Sequence, residues 1–410
     1  MKKLKCGLLG EHLGHSFSPQ IHKELADYEY KLFEMPVEDV ESFLRSDRFD
    51  AINVTIPYKK TVMPYLDEIS DEAKRIGSVN TITRLQGGGL KGDNTDYFGF
   101  SYMIDKSGIE IKDKKVIILG SGGASETART VCADRGAREI TVISRSGKDN
   151  YANLYKHKNA DIIINTTPVG MYPHNGASPV ELSDFPAIDG VLDMIYNPAS
   201  TKLLLDAKRL GIKCANGLCM LVAQAKKACE LFLGAAIDDG EIDRITDVIS
   251  AQMGNLVLIG MPGSGKSTIG TMLAQEMGRE LIDTDELIVK KAGMTIPEIF
   301  AKFGESYFRA LEHACVCEAG KESGKIIATG GGVVTRAENY APLRQNGKIF
   351  FITRDANLLP TDGRPISQST DLGELYRKRL PLYRAFCDKE VSNDRAAEQT
   401  VCEIIKLYNK

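Results

Sequence analysis

Eight consecutive residues, Gly260-Met-Pro-Gly-Ser-Gly265-Lys266-Ser267, have the types and spacing that grip a nucleoside triphosphate. Glycines let backbone N–H groups turn toward phosphate oxygens, and the N-terminus of a following helix adds positive potential. In such a loop Gly263, Ser264 and Gly265 cradle phosphates, Lys266 reaches the β- and γ-phosphates, and Ser267, followed by Thr268, offers a hydroxyl to magnesium. A second loop, Gly120-Ser121-Gly122-Gly123-Ala124, follows the apolar run VIIL and opens another helix. Its spacing departs from the full G-x-G-x-x-G pattern, so the loop alone leaves open a dinucleotide site or a plain strand-to-helix turn. The next apolar run ends at Ser144-Arg145-Ser146, with Lys148 just beyond. A basic residue there, where an NAD site carries an acidic one, favours the extra phosphate of NADP. The expected cofactors are therefore NADP(H), ATP and Mg2+.

Elements that could position these loops alternate along the whole chain. Short apolar runs such as KVIILG, EITVIS, DIIINT, NLVLIG and KIFFIT are separated by helical stretches, the pattern of α/β architecture with mainly parallel sheets. At 410 residues, two or three domains are expected. Residues 1–103 read as one α/β unit and 104–215 as a dinucleotide-binding unit, with 216–250 packing back on the first. The main boundary falls just before a strand that starts at Asn255. Hydrophobic residues at 43 % and charged ones at 26 % are those of an ordinary globular chain, and the net charge of -3 gives no reason to expect nucleic acid. No run approaches the roughly 18 apolar residues of a membrane span. The run Cys6 to Gly10 is too short for a secretory leader and reads as a buried strand. A cytoplasmic protein without a membrane partner is expected. The nine cysteines show no zinc spacing, Cys315 and Cys317 included, and fit reduced thiols; the six histidines form no Ser-His or metal-His motif.

Beyond the triphosphate loop come LIDTDELI with Asp283 and Asp285, GESYFRALE with Arg309, IIATGGGVV with Gly330, Gly331 and Gly332, DGRPIS with Arg364, and RLPLYR with Arg379. Together, from about Asn255 to Lys410, these resemble shikimate kinase. The resemblance implies a P-loop kinase domain with a parallel sheet over 254–410, and the residue chemistry agrees with it. Arg309 and Arg379 suit the carboxylate of shikimate through charge-assisted forks. Asp285 suits its hydroxyls and the loss of a proton from the attacking one. Asp283 would join Ser267 at magnesium, the glycines would let backbone approach the ring, and Arg364 would stabilise charge in phosphoryl transfer. The segment LLPTDGRPIS is shorter than the family's lid, with Pro360-Thr361 where the family has Arg-Thr and Ile366 where it has leucine, which bears on nucleotide affinity.

The first half carries GHSFSPQIHK, INVTIPYKK, GSVNTI, GDNTDYFGF, LDMIYNP and NGLCMLVAQA in that order. With the glycine loop these resemble shikimate dehydrogenase from Met1 to about Gly240. The resemblance implies an N-terminal α/β substrate domain (1–103 plus about 216–250) and a Rossmann-like NADP domain (104–215). It places Ser16, Ser18, Thr55, Asn80, Asp96, Tyr196 and Gln224 around the substrate, Thr166, Met194 and Gly217 beside the cofactor, and Asp71 on its nicotinamide side. Lys59 and Asp96 form the candidate catalytic pair: ketone reduction needs a proton on oxygen, which a positioned lysine can deliver while an aspartate orients it. His15 and His22 read as structural. The family has Asn-Arg-Thr at Ser144-Arg145-Ser146, and Gly-x-Gly at Gly217-Leu218-Cys219, so a thiol is expected near the nicotinamide.

The expected whole is a fused two-step enzyme acting on 3-dehydroshikimate and then shikimate, as monomer or homodimer. Its rivals are a dehydrogenase-like scaffold on an active kinase, a quinate-directed NAD enzyme, and a kinase for another small polyol.

Overall fold

A computed structural model describes residues 3–14, 16–355 and 372–409. Arg364, Pro360, Thr361, Ile366 and His15 lie outside the described residues.

The chain folds around three sheets. The first holds β1 (Lys5–Gly10), β2 (Glu29–Glu34), β3 (Ala51–Val54), β4 (Glu68–Ile69), β5 (Thr81–Arg84) and β6 (Leu90–Asp93), in the order β2-β1-β3-β5-β6-β4. It is mixed: β1, β2 and β3 run parallel, while β5 runs antiparallel to β3 and β6. The second sheet is wholly parallel, with β7 (Lys115–Leu119), β8 (Glu139–Ile143), β9 (Ile162–Asn165), β10 (Gly190–Asp193) and β11 (Lys213–Asn216) in the order β11-β10-β9-β7-β8. The third is also parallel, with β12 (Asn255–Ile259), β13 (Leu281–Asp283), β14 (Ile326–Ala328), β15 (Gly347–Thr353) and β16 (Lys389–Ser392) in the order β13-β14-β12-β15-β16.

The apolar runs are unbroken because these sheets are covered on both faces. In β12, Val257 and Ile259 pack into one core with Ile327 and Phe351, while Leu256 and Leu258 pack into another with Ile326 and Phe350. Side chains of a strand alternate between faces, so a strand buried on both sides is apolar at most positions, and polar ones such as Asn53, Asn165 and Asp193 are hydrogen-bonded. Parallel pairing in turn requires crossovers, which helices such as Gly123–Asp134 and Lys266–Met277 supply.

The chain divides into two compact units: Met1–Val169, Ser178–Tyr196 and Asp206–Val248 form one, and Gly170–Ala177, Asn197–Leu205 and Ile249–Lys410 the other. The first unit holds the first two sheets. Two short segments that the sequence reading places in the dinucleotide-binding part thus count with the second. Among the described residues no helix is long and apolar enough to cross a membrane.

Within the first unit, helices Asp96–Ser107 and Leu218–Leu233 pack closely at Gly99, where a Cβ would stand 2.6 Å from the Met220 carbonyl oxygen and 3.0 Å from Gln224 Cβ. That approach brings the start of one helix, with Asp96, toward Gln224 on the other. Gly99→Ala should therefore force the helices apart and destabilise the first unit by about 1–3 kcal/mol. A lower inactivation temperature for the first unit's activity, with the second unit's unchanged, is the expected result.

Candidate functional sites

Lys59 lies within the turn that leaves β3, which is held by backbone on both sides. The Thr55 N–H donates to the Leu9 carbonyl at 2.9 Å, and the Val79 N–H to that of Lys59 at 2.8 Å. The buried Tyr58 anchors the turn, its hydroxyl donating to the Met35 carbonyl at 2.6 Å. Lys59 Nζ meets Asp96 Oδ2 at 2.5 Å, with side chains 26 % and 16 % exposed, so water still reaches the pair. Asp96 is the first residue of its helix, where backbone N–H groups favour a carboxylate.

Behind this pair lies a buried polar lattice. Asn80 donates Nδ2–H to Thr95 Oγ1 at 3.1 Å and accepts the Thr95 N–H at 2.7 Å; Thr95 Oγ1 stands 3.5 Å from Gln224 Oε1. Asn53 Nδ2 donates to Thr81 Oγ1 at 3.3 Å, and its Oδ1 accepts the Tyr30 hydroxyl at 2.8 Å; Ser18 lies beside Tyr30. The Ser18 N–H donates to Ser16 Oγ at 3.2 Å. Phe17, between these serines, meets Tyr196 edge-on with ring centroids 6.1 Å apart, and burial raises the Tyr196 phenol. Ser16, Ser18, Asn80, Asp96, Gln224, Tyr196 and Lys59 are thus gathered, with Thr55 on the same turn as Lys59. Asp71 stands apart from that lattice, exposed at the head of the helix Asp71–Ile76 with Lys74 at 3.8 Å. His22 is buried and stacked on Tyr30, with Nδ1 2.5 Å from the Tyr28 hydroxyl; burial lowers its pKa to about 3 and keeps it neutral.

The dinucleotide residues stand at the carboxyl edge of the second sheet. Gly120, Ser144, Thr166, Met194 and Gly217 each follow directly on the last residue of β7, β8, β9, β10 and β11. Gly120, at φ 107, passes so near Thr166 that a Cβ would stand 2.7 Å from its hydroxyl oxygen, and a Cβ on Gly217 would overlap the Met194 carbonyl. Ser121, Gly122, Gly123 and Ala124 run into the helix Gly123–Asp134, and a Cβ on Gly122 or Gly123 would meet open space, room for a phosphate. Beyond β8, Arg145, Ser146 and Lys148 are exposed on a loop closed by the Ser144 N–H donating to the Asp149 carbonyl at 3.2 Å. Burial raises the Cys219 thiol above its ordinary value.

In the second unit, the loop after β12 wraps Lys266, whose Nζ donates to the Gly260 and Met261 carbonyls at 3.0 Å each. Gly263 and Gly265 adopt φ 86 and 96 there, and the Ser264 hydroxyl is buried without a hydrogen-bond partner, as a phosphate ligand would be. Ser267, Thr268 and the rest of the helix Lys266–Met277 follow, and Ser267 donates its hydroxyl to Asp283 Oδ2 at 2.8 Å. That hydroxyl and carboxylate suit Mg2+, which takes few protein oxygens and completes its shell with phosphate and water.

Asp283 caps the helix Thr284–Ala292 by accepting the Asp285 N–H at 2.9 Å. Asp285 is pushed up to about 6, by burial first and then by Asp283. Arg309 lies on the helical run Ile296–Lys321 just after its break at Gly304, and donates to Glu312 at 2.8 Å. Asp285 Oδ1 and Glu312 Oε1 are buried acceptors without partners, and both face Gly330, whose Cβ would stand 2.6 and 3.1 Å from them. A Cβ on Gly332 would overlap the Arg309 guanidinium, and one on Gly331 would stand 2.5 Å from Pro262. Arg379, 5 % exposed, donates to the Gly331 carbonyl at 3.1 Å. Two unpartnered carboxylate oxygens and two arginines on one glycine turn suit a small molecule with both hydroxyls and a carboxylate.

Several of these groups escaped sequence reasoning. Glu312 sits one turn after Arg309 inside a quoted motif, and that i,i+3 spacing was the available signal. Asn53 breaks the apolar strand AINV, and Thr95 directly precedes Asp96.

A dinucleotide-binding oxidoreductase joined to a P-loop phosphotransferase is the class that this fold and these sites define. The family model for the shikimate dehydrogenase substrate binding domain matches residues 8–82, and that for shikimate kinase matches 262–409. A shikimate dehydrogenase (NADP(+)) of Clostridium beijerinckii is 40 % identical over 253 residues, 57 % of this chain and 93 % of that protein. One from Methanosphaera stadtmanae is 37 % identical, over 57 % of this chain and 92 % of that protein. Among solved structures, a chorismate mutase/shikimate 5-dehydrogenase fusion protein from Clostridium acetobutylicum matches with a TM-score of 0.58 at 38 % identity, covering 61 % of this chain and 98 % of that one. The shikimate 5-dehydrogenase of Thermus thermophilus, in complex with NADP(H) and shikimate, matches with a TM-score of 0.55 at 30 % identity, over 59 % and 98 %. The chain belongs to the shikimate dehydrogenase family and carries a shikimate kinase domain behind it, a bifunctional shikimate-pathway enzyme with oxidoreductase and kinase activities.

The raised Asp285 carboxyl has a consequence for stability. Below about pH 4 the group is protonated folded and unfolded, and costs nothing; as pH rises toward 6 only the unfolded state ionises freely, so the folded state loses ground, and the loss is complete above 6. Asp285→Asn should therefore stabilise the second unit at pH 7 by about 1–3 kcal/mol. The gain should vanish near pH 4 in denaturant unfolding of that unit.

Proposed function

We propose that the chain reduces 3-dehydroshikimate to shikimate with NADPH, then phosphorylates shikimate with ATP and Mg2+ to shikimate 3-phosphate. The supporting observation is that each unit joins a dinucleotide or phosphate loop to a second polar cluster of matching chemistry: the Lys59–Asp96 pair with its hydroxyls and amides in one, the Asp285–Arg309–Arg379 cluster in the other.

In the first reaction, bound NADPH supplies the hydride. Lys59 delivers a proton to the carbonyl oxygen and Asp96 orients both Lys59 and the substrate hydroxyl. Ser16, Ser18, Thr55, Asn80, Tyr196 and Gln224 bind the polar ring substituents, with Asp71, Thr166, Met194 and Gly217 toward the nicotinamide. The Gly120–Ala124 loop takes the pyrophosphate; Ser144, Arg145, Ser146 and Lys148 take the 2′-phosphate. In the second, Arg309 and Arg379 bind the shikimate carboxylate, the glycine triplet fits the ring, and Asp285 accepts the proton of the attacking hydroxyl. Gly263–Thr268 grip ATP, Lys266 and Arg364 stabilise charge on the transferred group, and Ser267 with Asp283 holds Mg2+. The proposed domains are 1–250 for the dehydrogenase and 254–410 for the kinase, in a cytoplasmic monomer or homodimer.

The deciding experiment starts from 3-dehydroshikimate, NADPH, ATP and magnesium under conditions where reduction alone stops short. NADPH consumption should go further than without ATP or with Lys266→Ala. Lys59→Ala should lower the first activity by roughly 10²–10⁴-fold and spare the second. An endpoint indifferent to ATP would end the proposed reaction order. Cofactor choice gives a separate check. Arg145→Asp removes a charge-assisted contact worth about 1.5–3 kcal/mol, so the preference for NADP over NAD should fall by roughly ten- to a hundredfold. An unchanged preference would remove Arg145 from the 2′-phosphate.

A further inference from the structure

The helical run Ile296–Lys321 and the turn Gly330–Thr335 together carry the second unit's anion-binding groups, and their fit is tight. A Cβ on Gly332 would overlap the Arg309 guanidinium, so a small shift of the turn against the helix displaces Arg309. A buried side chain and a half-buried one tie them together. Asn339, fully buried, donates Nδ2–H to the Val333 carbonyl at 2.8 Å; the Val333 N–H in turn donates to the Gly330 carbonyl at 3.2 Å. With its amide nitrogen spent on Val333, Asn339 presents Oδ1 to His313 Nδ1 at 2.7 Å. His313 lies one helical turn beyond Arg309 on the same face.

Asn339 Oδ1 is an acceptor, so His313 Nδ1 must carry the hydrogen. On the other side of the ring the Cys317 sulfur lies 3.6 Å from Nε2. Of the other carbonyls of the turn, that of Gly332 accepts the Thr335 hydroxyl at 2.6 Å within the turn, and that of Gly331 accepts from Arg379 at 3.1 Å. A second, longer tie runs from Arg336 Nη1 to the Arg309 carbonyl at 3.5 Å.

We infer that His313 and Asn339 are positioning residues of the kinase site, a hydrogen-bonded bar that keeps the glycine turn in register with Arg309 and so sets the affinity for the carboxylate-bearing substrate. The inference rests on the proposed assignment of Arg309 and the glycine triplet to that substrate. The hydrogen bonds of the bar reach the glycine turn and not the phosphate loop, which the turn meets by packing of Gly331 on Pro262, so its loss should fall first on shikimate. Removing its imidazole leaves Asn339 Oδ1 buried without a donor, and the turn must shift or admit water to relieve it.

The test is steady-state kinetics on the full chain. His313→Leu should raise the KM for shikimate about five- to fiftyfold while the KM for ATP stays within about twofold, on the scale of one buried hydrogen bond lost. His313→Gln keeps an N–H donor and should recover most of the loss. Arg309→Ala is run beside them. If Arg309→Ala raises the KM for shikimate and His313→Leu does not, the positioning role is overturned and the site assignment stands. If neither change moves that KM, the site assignment has failed and the inference with it. A loss in His313→Leu shared equally by both KM values, or left unrescued in a folded His313→Gln, marks general damage to the unit and also overturns the role.

Discussion

A parallel sheet brings all its carboxyl ends to one edge, and the dinucleotide and phosphate sites both depend on that constraint. In the second sheet the residues after β7, β8, β9, β10 and β11 are the dinucleotide candidates without exception. In the third, the same edge holds Gly260, Asp283, Thr329, Arg354 and Asn393. Residues more than a hundred positions apart meet there because hydrogen-bond register leaves them no other place. Helices add the second ingredient: Gly123–Asp134, Lys266–Met277 and Thr284–Ala292 each begin just after a strand has ended, so their unsatisfied N–H groups point into that space.

That space could be read from the sequence where chemistry and chain order coincide. The triphosphate loop, Asp283, Asp285, Arg309 and the three glycines lie in short motifs with fixed spacing, and so does Lys59 after its turn. The parallel sheets were legible for a related reason, since strands buried on both faces are apolar along most of their length. The supporting lattice was harder to see. Asn53, Thr95 and Tyr30 act through partners on other strands, and an isolated polar residue in a sequence does not reveal its partner. Glu312 hid differently: an acid one turn from an arginine resembles any exposed helical pair, and only its depth, 1 % exposed, separates it from one. The sequence reading also gave Gly170–Ala177 and Asn197–Leu205 to the dinucleotide part; which unit such loops join is a matter of packing that periodicity does not encode.

The two sites meet the problem of buried charge in different ways. Asp96 has an ammonium group at 2.5 Å and a helix start behind it, and its side chain keeps some contact with water. Asp285 is buried among Asp283, Glu312, Lys266 and Arg309, and the net result is a carboxyl held up near 6 with one oxygen unpartnered. An acceptor in that state gains more from an incoming hydroxyl than a solvated one does, because it has no water to give up. The stability forfeited at Asp285 is then recovered in part when a hydroxylated ligand binds.

On the proposed reading, the same ring is recognised twice by unlike means. The first site offers hydroxyls, amides and one balanced ion pair, and so adds little net charge of its own. The second offers two arginines against two carboxylates and a phosphate-gripping loop. A product that has gained a phosphate therefore finds favourable charge where it was made, whereas the Lys59 ammonium of the first site is already paired with Asp96 and leaves no net positive charge to receive it. Phosphorylation also occupies the oxygen that the first site would have to re-oxidise. The direction of flow through the pair then follows from the charge of the sites and the order of the bonds made, and needs no passage between them.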